Sequence, residues 1–241
     1  AYLIDGVAVT DPFNGGFGME VENTSIRQME VITGTFNAEY GQALSGVVNI
    51  VTEGGSNKFK MGVSSYIGNF ITGNTDIFRN LDQADRIAQR SVQVTLSGPV
   101  SPINNLYFFA TGRYAANSGH LYGKRVYKVT DDVPFYPDPA NKSFWIARNT
   151  GDGAYVSMNP SHKYSLNGKL TYALPQIAFT YSLFWDQTEN RYYDHNFSWT
   201  PDGMMTHYGT DWIQNLQIIH DLSSSTNHSL KFSFSKYNYK G

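Results

Sequence analysis

The chain has no cysteine, little charge and no long hydrophobic run, and each absence excludes a class of protein. Without cysteine there is neither a disulfide framework nor a thiolate metal site. Charged residues make up 16% of the 241 positions, against about 25% in an ordinary globular chain. A net charge of −2 lacks the basic excess of a nucleic-acid binder, so no nucleic-acid partner is expected. No stretch reaches about 18 consecutive apolar residues, so no transmembrane helix is available. Catalytic signals are missing too. His120, His162, His195, His207, His220 and His228 form no i, i+4 pair and no HExxH motif. Gly15-Gly16-Phe17-Gly18 opens like a dinucleotide loop, but Val21 stands where its last glycine belongs. Asp131, Asp132 and Asp138 lack the spacing of an EF-hand loop. The expectation is a non-enzymatic protein with no cofactor and no metal.

What is present is aromatic, glycine-rich and periodic. Aromatics reach 15%, with 17 Tyr and 15 Phe. From about residue 58, apolar and polar residues alternate in seven successive segments, a period that belongs to strands with one apolar and one wet face. Phe59, Met61, Val63 and Ile67 share the first apolar face. Val92, Val94 and Leu96 share the second, and Leu106, Phe108, Ala110 and Tyr114 the third. Tyr164, Leu166, Leu170 and Tyr172 form the fourth, and Ile177, Phe179, Tyr181, Leu183 and Trp185 the fifth. Leu216 and Ile218 mark the sixth, and Leu230, Phe232 and Phe234 the seventh. A soluble β-sandwich would show the same alternation. The connections discriminate better: short ones near 98–105, 173–175 and 223–227 alternate with long ones near 71–89, 115–163 and 186–211. Short turns at one rim and long loops at the other are the pattern of an outer-membrane antiparallel barrel. Tyr114, Tyr164, Tyr172 and Trp185, near strand ends, suit the two interfacial girdles.

The stretch before residue 58 is different. Ile26–Thr52 carries strand-like runs at Met29–Thr33 and Val47–Thr52, with Gly34, Gly41 and Gly46 as turn punctuation between them. It has a basic Arg27, an acidic Glu30, the pair Tyr40-Gly41, a glycine at Gly46 and the ending Asn49-Ile50-Val51-Thr52. Upstream, Tyr2–Asp11 holds an Ile-Asp-Gly turn. These motifs resemble the C-terminal half of the plug domain of TonB-dependent outer-membrane receptors. The segment with Ser97-Gly98-Pro99-Val100 and Leu106–Tyr114 resembles the early barrel strands of the Oar-like branch. The resemblance implies an all-β fold: residues 1–55 as the C-terminal part of a plug, and residues 56–241 as the first strands and loops of the barrel. It implies a bacterial outer-membrane location and import of a ligand. The energy would come from TonB through an upstream segment absent here, so the chain is expected to be a fragment. A passive porin or adhesion-type barrel, or a soluble β-sandwich binding module, are the alternatives.

Site expectations follow the same division. In the family, a plug loop corresponding to residues 10–22 can point outward and touch ligand. Phe13 and Phe17 would stack there, and Asp11 and Asn14 would hydrogen-bond; the alternative is a glycine-rich turn that only seals the lumen. Arg27 and Glu30 are the candidates for locking plug to wall. Trp145, Tyr192, Tyr193 and Trp199 in the long loops could grip a small molecule, peptide or glycan, or pack on one another and on a partner such as a lipoprotein lid. The other expected partner is outer-membrane lipid.

Overall fold

The fold is a small plug sheet held against a large curved sheet, seen in a computed structural model that describes residues 1–10, 19–33, 46–83, 87–132, 135–136, 144–145 and 148–241. The plug begins with strand β1 (Tyr2–Ile4) and strand β2 (Val7–Ala8), joined by Asp5 and Gly6 with φ of 52° and 73°. Two consecutive positive φ values make the two-residue hairpin turn that Asp-Gly favours. A side chain at Gly6 would meet only the movable Lys231 ammonium, so the positive φ is what restricts this position. Strands β3 (Ile26–Thr33) and β4 (Gly46–Thr52) complete a sheet of order β2-β1-β4-β3. Here β1 runs parallel to β4, and β3 antiparallel to it.

The large sheet is a seven-stranded antiparallel meander. Its first strands are β5 (Lys60–Gly68), β6 (Gln89–Pro99) and β7 (Leu106–Asn117). A long connection then carries four short strands: β8 (Tyr122–Lys124), β9 (Phe135–Tyr136), β10 (Phe144–Trp145) and β11 (Tyr155–Ser157). The meander resumes with β12 (Ser161–Ala173), β13 (Ile177–Asn190), β14 (His207–Ser223) and β15 (Thr226–Lys240). The order β15-β14-β13-β12-β7-β6-β5 joins every strand to its neighbour in sequence, and the sheet is not closed on itself. The expected seven strands are all present. Residues 100–105, 174–176 and 224–225 form the short rim, and 69–88, 118–160 and 191–206 the long one.

Cross-strand register gathers the apolar positions on one face. Leu166, Trp185, Trp212 and Lys236 form one transverse row; Leu170, Tyr181, Leu216 and Phe232 form another. The burial is the reverse of a soluble protein's. On the apolar face Leu166, Leu170 and Phe232 are 42%, 44% and 59% exposed, whereas Asn167, Ser182 and Asn215 on the polar face are 3–5% exposed. A soluble sandwich hides its apolar face; this sheet hides its polar face against the plug. Rings cluster on the bare face, with Tyr114 on Tyr164 at 4.9 Å and Trp185 on Trp212 at 6.0 Å. All four sit toward the long-loop rim, where an interfacial girdle is stable.

Candidate functional site

The site is the seam between plug and wall, and the strand period builds it. Along β12 the inward positions are Lys163, Ser165, Asn167 and Lys169; along β13 they are Thr180, Ser182, Phe184, Asp186 and Thr188. Strand β7 adds Thr111 and Arg113, and β14 adds Asp211, Ile213, Asn215 and Gln217.

Toward the long loops, two ion pairs cross the seam and a third, within the wall, supports one of them. Arg113 Nη1 meets Glu22 Oε2 at 2.8 Å, and Lys163 Nζ lies 2.7 Å from Glu20 Oε2 and 3.2 Å from Asp186 Oδ2. The hydrogen bond from Lys163 holds the Glu20 carboxyl below the usual carboxylate range. Toward the short turns, Asp5 is a hub. Its carboxylate accepts from the Thr52 amide at 2.9 Å and the Thr52 hydroxyl at 2.7 Å, and pairs with Lys169 Nζ at 3.0 Å. Lys231 Nζ donates to the Asp5 carbonyl at 3.2 Å, and Lys169 Nζ to the Thr52 carbonyl at 3.2 Å. The hairpin turn thus presents one carboxylate and one carbonyl to two lysines of the wall.

Between these levels the contact is softer. Thr24 meets Thr95 Oγ1 at 3.4 Å and accepts from the Gln93 amide; Ser25 accepts from Asn167 Nδ2 at 3.4 Å. Next to them Phe184 and Ile213 pack with Ile4, Val9, Met19, Val21 and Ile50 into one apolar cluster. A cleft of about 630 Å³ opens on the long-loop side, lined by Glu20, Arg113, Lys163, Asp186, Thr188 and Tyr192 among others. A cavity of about 310 Å³ lies on the short-turn side, lined by Asp5, Lys169, Thr180, Ser182, Asn215 and Lys231.

The sequence-level candidates are placed as follows. Asp11, Phe13, Asn14 and Phe17 lie outside the described residues. Arg27 and Glu30 are exposed on β3 at the edge of the plug sheet, and Arg27 reaches the rim of the inner cavity. Among the described residues, the plug–wall ion pairs run through Asp5, Glu20 and Glu22. Trp145 pairs with Phe135 between β10 and β9. Tyr192 lines the outer cleft and lies 5.1 Å from the His207 ring. Tyr193 contacts His195 Nδ1 at 2.8 Å, and Trp199 stacks on Tyr127 at 6.4 Å. The long loops also bind each other. Arg125 bonds Asp202 at 2.5 Å and Asp152 at 2.9 Å, and Trp199 accepts from the Val126 and Tyr127 amides. The signal for the residues not singled out was a charge at an inward-facing strand position: Arg113, Lys163, Lys169, Asp186 and Lys231 all fit it. Among the described residues no cluster of three potential metal ligands occurs.

A meander with its apolar face bare and its polar face filled by a separate sheet defines a plugged outer-membrane barrel wall. No family model matches the chain. It is 26% identical over 222 residues to the TonB-dependent transporter Oar of Myxococcus xanthus, covering 86% of this chain and 18% of that protein. The siderophore receptor PirA of Acinetobacter baumannii superposes with a TM-score of 0.61 at 17% identity, over 98% of this chain and 32% of that one. A mutant of the ferric enterobactin receptor PfeA of Pseudomonas aeruginosa gives 0.60 at 16% identity, again over 98% and 32%. The chain thus resembles a segment of a TonB-dependent transporter over most of its length, and its fold is that of the bacterial outer-membrane receptor barrels. It spans about a fifth of the curated relative and a third of the solved receptors. The proteins it resembles are receptors and transporters, not enzymes.

Proposed function

We propose that this chain supplies wall and gate to a receptor that imports a ligand across the outer membrane, driven by TonB. One observation carries the reading: the polar wall face is filled by a folded plug docked through paired charges. A passive porin has no need of such a unit, because its lumen is left open to water. Residues 1–55 act as plug and 56–241 as wall. The outer cleft is the entry vestibule, with Tyr192 on its rim. The loop with Asp11, Phe13, Asn14 and Phe17 is the ligand-facing element. Arg27 and Glu30, exposed on the edge strand of the plug, are the proposed lock between plug and wall. Tyr193 and Trp199 belong to a loop whose hydrogen bonds from the Lys124, Val126 and Tyr127 amides favour a self-packed cap over a free gripping surface, and Trp145 is proposed as part of the same cap. The ligand class is a small molecule, peptide or glycan, and a lipoprotein lid would sit on that cap. Contact with TonB is proposed of the complete receptor.

The test is photo-crosslinking of the complete receptor in cells, with conductance of the purified barrel measured in parallel. The expected result is a crosslink to TonB and a closed barrel. Steady ion conductance without any TonB crosslink would favour the porin.

A further inference from the structure

We infer that a single transverse row of the wall, centred on Phe184 and Ile213, is the permeability seal of the seam. The proposal rests on reading the chain as plug and barrel wall, and it names the residues that hold the barrier. Phe184 and Ile213 are cross-strand partners and are 2% and 1% exposed. On β13 and β14 they interrupt a run of polar inward neighbours, and they differ from Phe109, the buried inward aromatic of β7, in packing into the plug's apolar cluster. On β13 the inward neighbours of Phe184 are Ser182 and Asp186; on β14 those of Ile213 are Asn215 and Asp211. Asp186 and Asp211 line the outer cleft, Ser182 and Asn215 line the inner cavity, and neither Phe184 nor Ile213 lines either space. The two polar spaces therefore approach each other along the same strands and are divided by this pair.

The row continues sideways by register: Thr95 faces Thr111, Thr111 faces Asn167, and Asn167 faces Phe184. Its polar half is bridged to the plug by hydrogen bonds with Thr24 and Ser25, beside a space of about 520 Å³ lined by Thr24, Gln93 and Thr95, and its apolar half is closed by Ile4, Val9, Met19, Val21 and Ile50. The chemistry of the halves differs. A close-packed apolar contact excludes water and hydrated ions because its gaps are smaller than a water molecule. Hydroxyl and amide pairs exchange readily with water. Opening a route for a hydrated solute would separate the Thr24 and Ser25 contacts and leave the apolar half in place.

This chain has no cysteine of its own to compete with an introduced one. Thr188 and Thr180 lie on the same strand and the same face, two inward positions to either side of Phe184, at the outer cleft and the inner cavity respectively. Thr188→Cys and Thr180→Cys are made singly in the complete receptor, and folding is checked by heat-modifiable gel mobility. A small, charged, membrane-impermeant maleimide is added outside. Thr188→Cys should react, and Thr180→Cys should stay unlabelled over the time in which Thr188→Cys reacts fully. Adding Phe184→Ala to Thr180→Cys should restore labelling. Labelling of Thr180→Cys at the rate of Thr188→Cys would overturn the seal. Should Phe184→Ala fail to assemble, the two single variants still decide the matter. Leu170→Cys on the apolar face is the control. Its reaction with the charged maleimide would overturn the barrel reading itself, whereas its protection beside a reactive Thr180→Cys would overturn the seal alone.

Discussion

Asp5 shows how much depends on a single side chain. It is required at its position twice, for the positive-φ turn with Gly6 and for its pairing with Lys169 and Thr52. Both partners of the pair are nearly buried, at 14% and 10%. A carboxylate stripped of its cation in such a place is costly, about 3–5 kcal/mol when one partner is removed. Lys169→Met should therefore loosen the plug by about that amount, read as a lower urea concentration at which protease cleaves the plug of the complete receptor. Asp5→Asn keeps the turn and removes the charge. Combined with Lys169→Met it should cost clearly less than the sum of the two single changes. Strict additivity would show that the pair does not couple plug to wall.

At the scale of the element, register decides everything on a strand of period two. Leu183 is central in β13 on the bare face, whereas Thr180 faces the inner cavity. Leu183→Arg should impair assembly, at about 2–4 kcal/mol for an arginine facing lipid near mid-membrane. Thr180→Arg should assemble, since the position faces the polar inner cavity rather than lipid. Heat-modifiable mobility reads both, and normal assembly of Leu183→Arg with failure of Thr180→Arg would invert the faces. The loop elements make a different prediction. The Arg125 hydrogen bond holds the Asp202 carboxyl below its usual range, and Asp152 is lowered first by the Ala154 amide. A carboxylate with a depressed folded-state pKa stabilises above its unfolded value and loses that effect as pH falls through the folded one. The clamp joining the long loops should persist through about pH 4, the ordinary aspartate range, and fail only in stronger acid. Pepsin cleavage between residues 122 and 203 should then begin at higher pH in Arg125→Met than in the unaltered receptor. The same onset in both would remove Arg125 from the clamp.

At the scale of the whole molecule, strand number, connection rhythm and facing of Leu166, Leu170, Phe179, Tyr181 and Leu183 were all legible in the sequence. The reason is physical: lipid on one side and a polar lumen on the other impose alternation on every residue of a wall strand. The plug was legible through glycine-punctuated motifs and the Asp-Gly turn. The pairing of Asp5 with Lys169, and of Glu20 and Glu22 with Lys163 and Arg113, was not. These partners are separated by 91 to 164 positions, and alternation fixes which side a residue faces but not which plug residue stands opposite. Phe184 and Ile213 were hidden for a related reason. An apolar residue at a polar-face position reads as noise until the plug core is seen against it. Arg27 and Glu30 drew attention through the family motif, while the charges that meet the described wall carry no motif of their own.

The central claim is that this sheet stands in a membrane with its polar face toward the plug. Its most direct test is a spin-label scan of residues 177–190 in the complete receptor, reconstituted in lipid, with dissolved oxygen as the relaxing agent. Oxygen concentrates in the hydrocarbon, so access should peak at Phe179, Tyr181, Leu183 and Trp185 and fall at Thr180, Ser182, Phe184 and Asp186. A profile without two-residue alternation, or one with its maxima at the even positions, would contradict the claim.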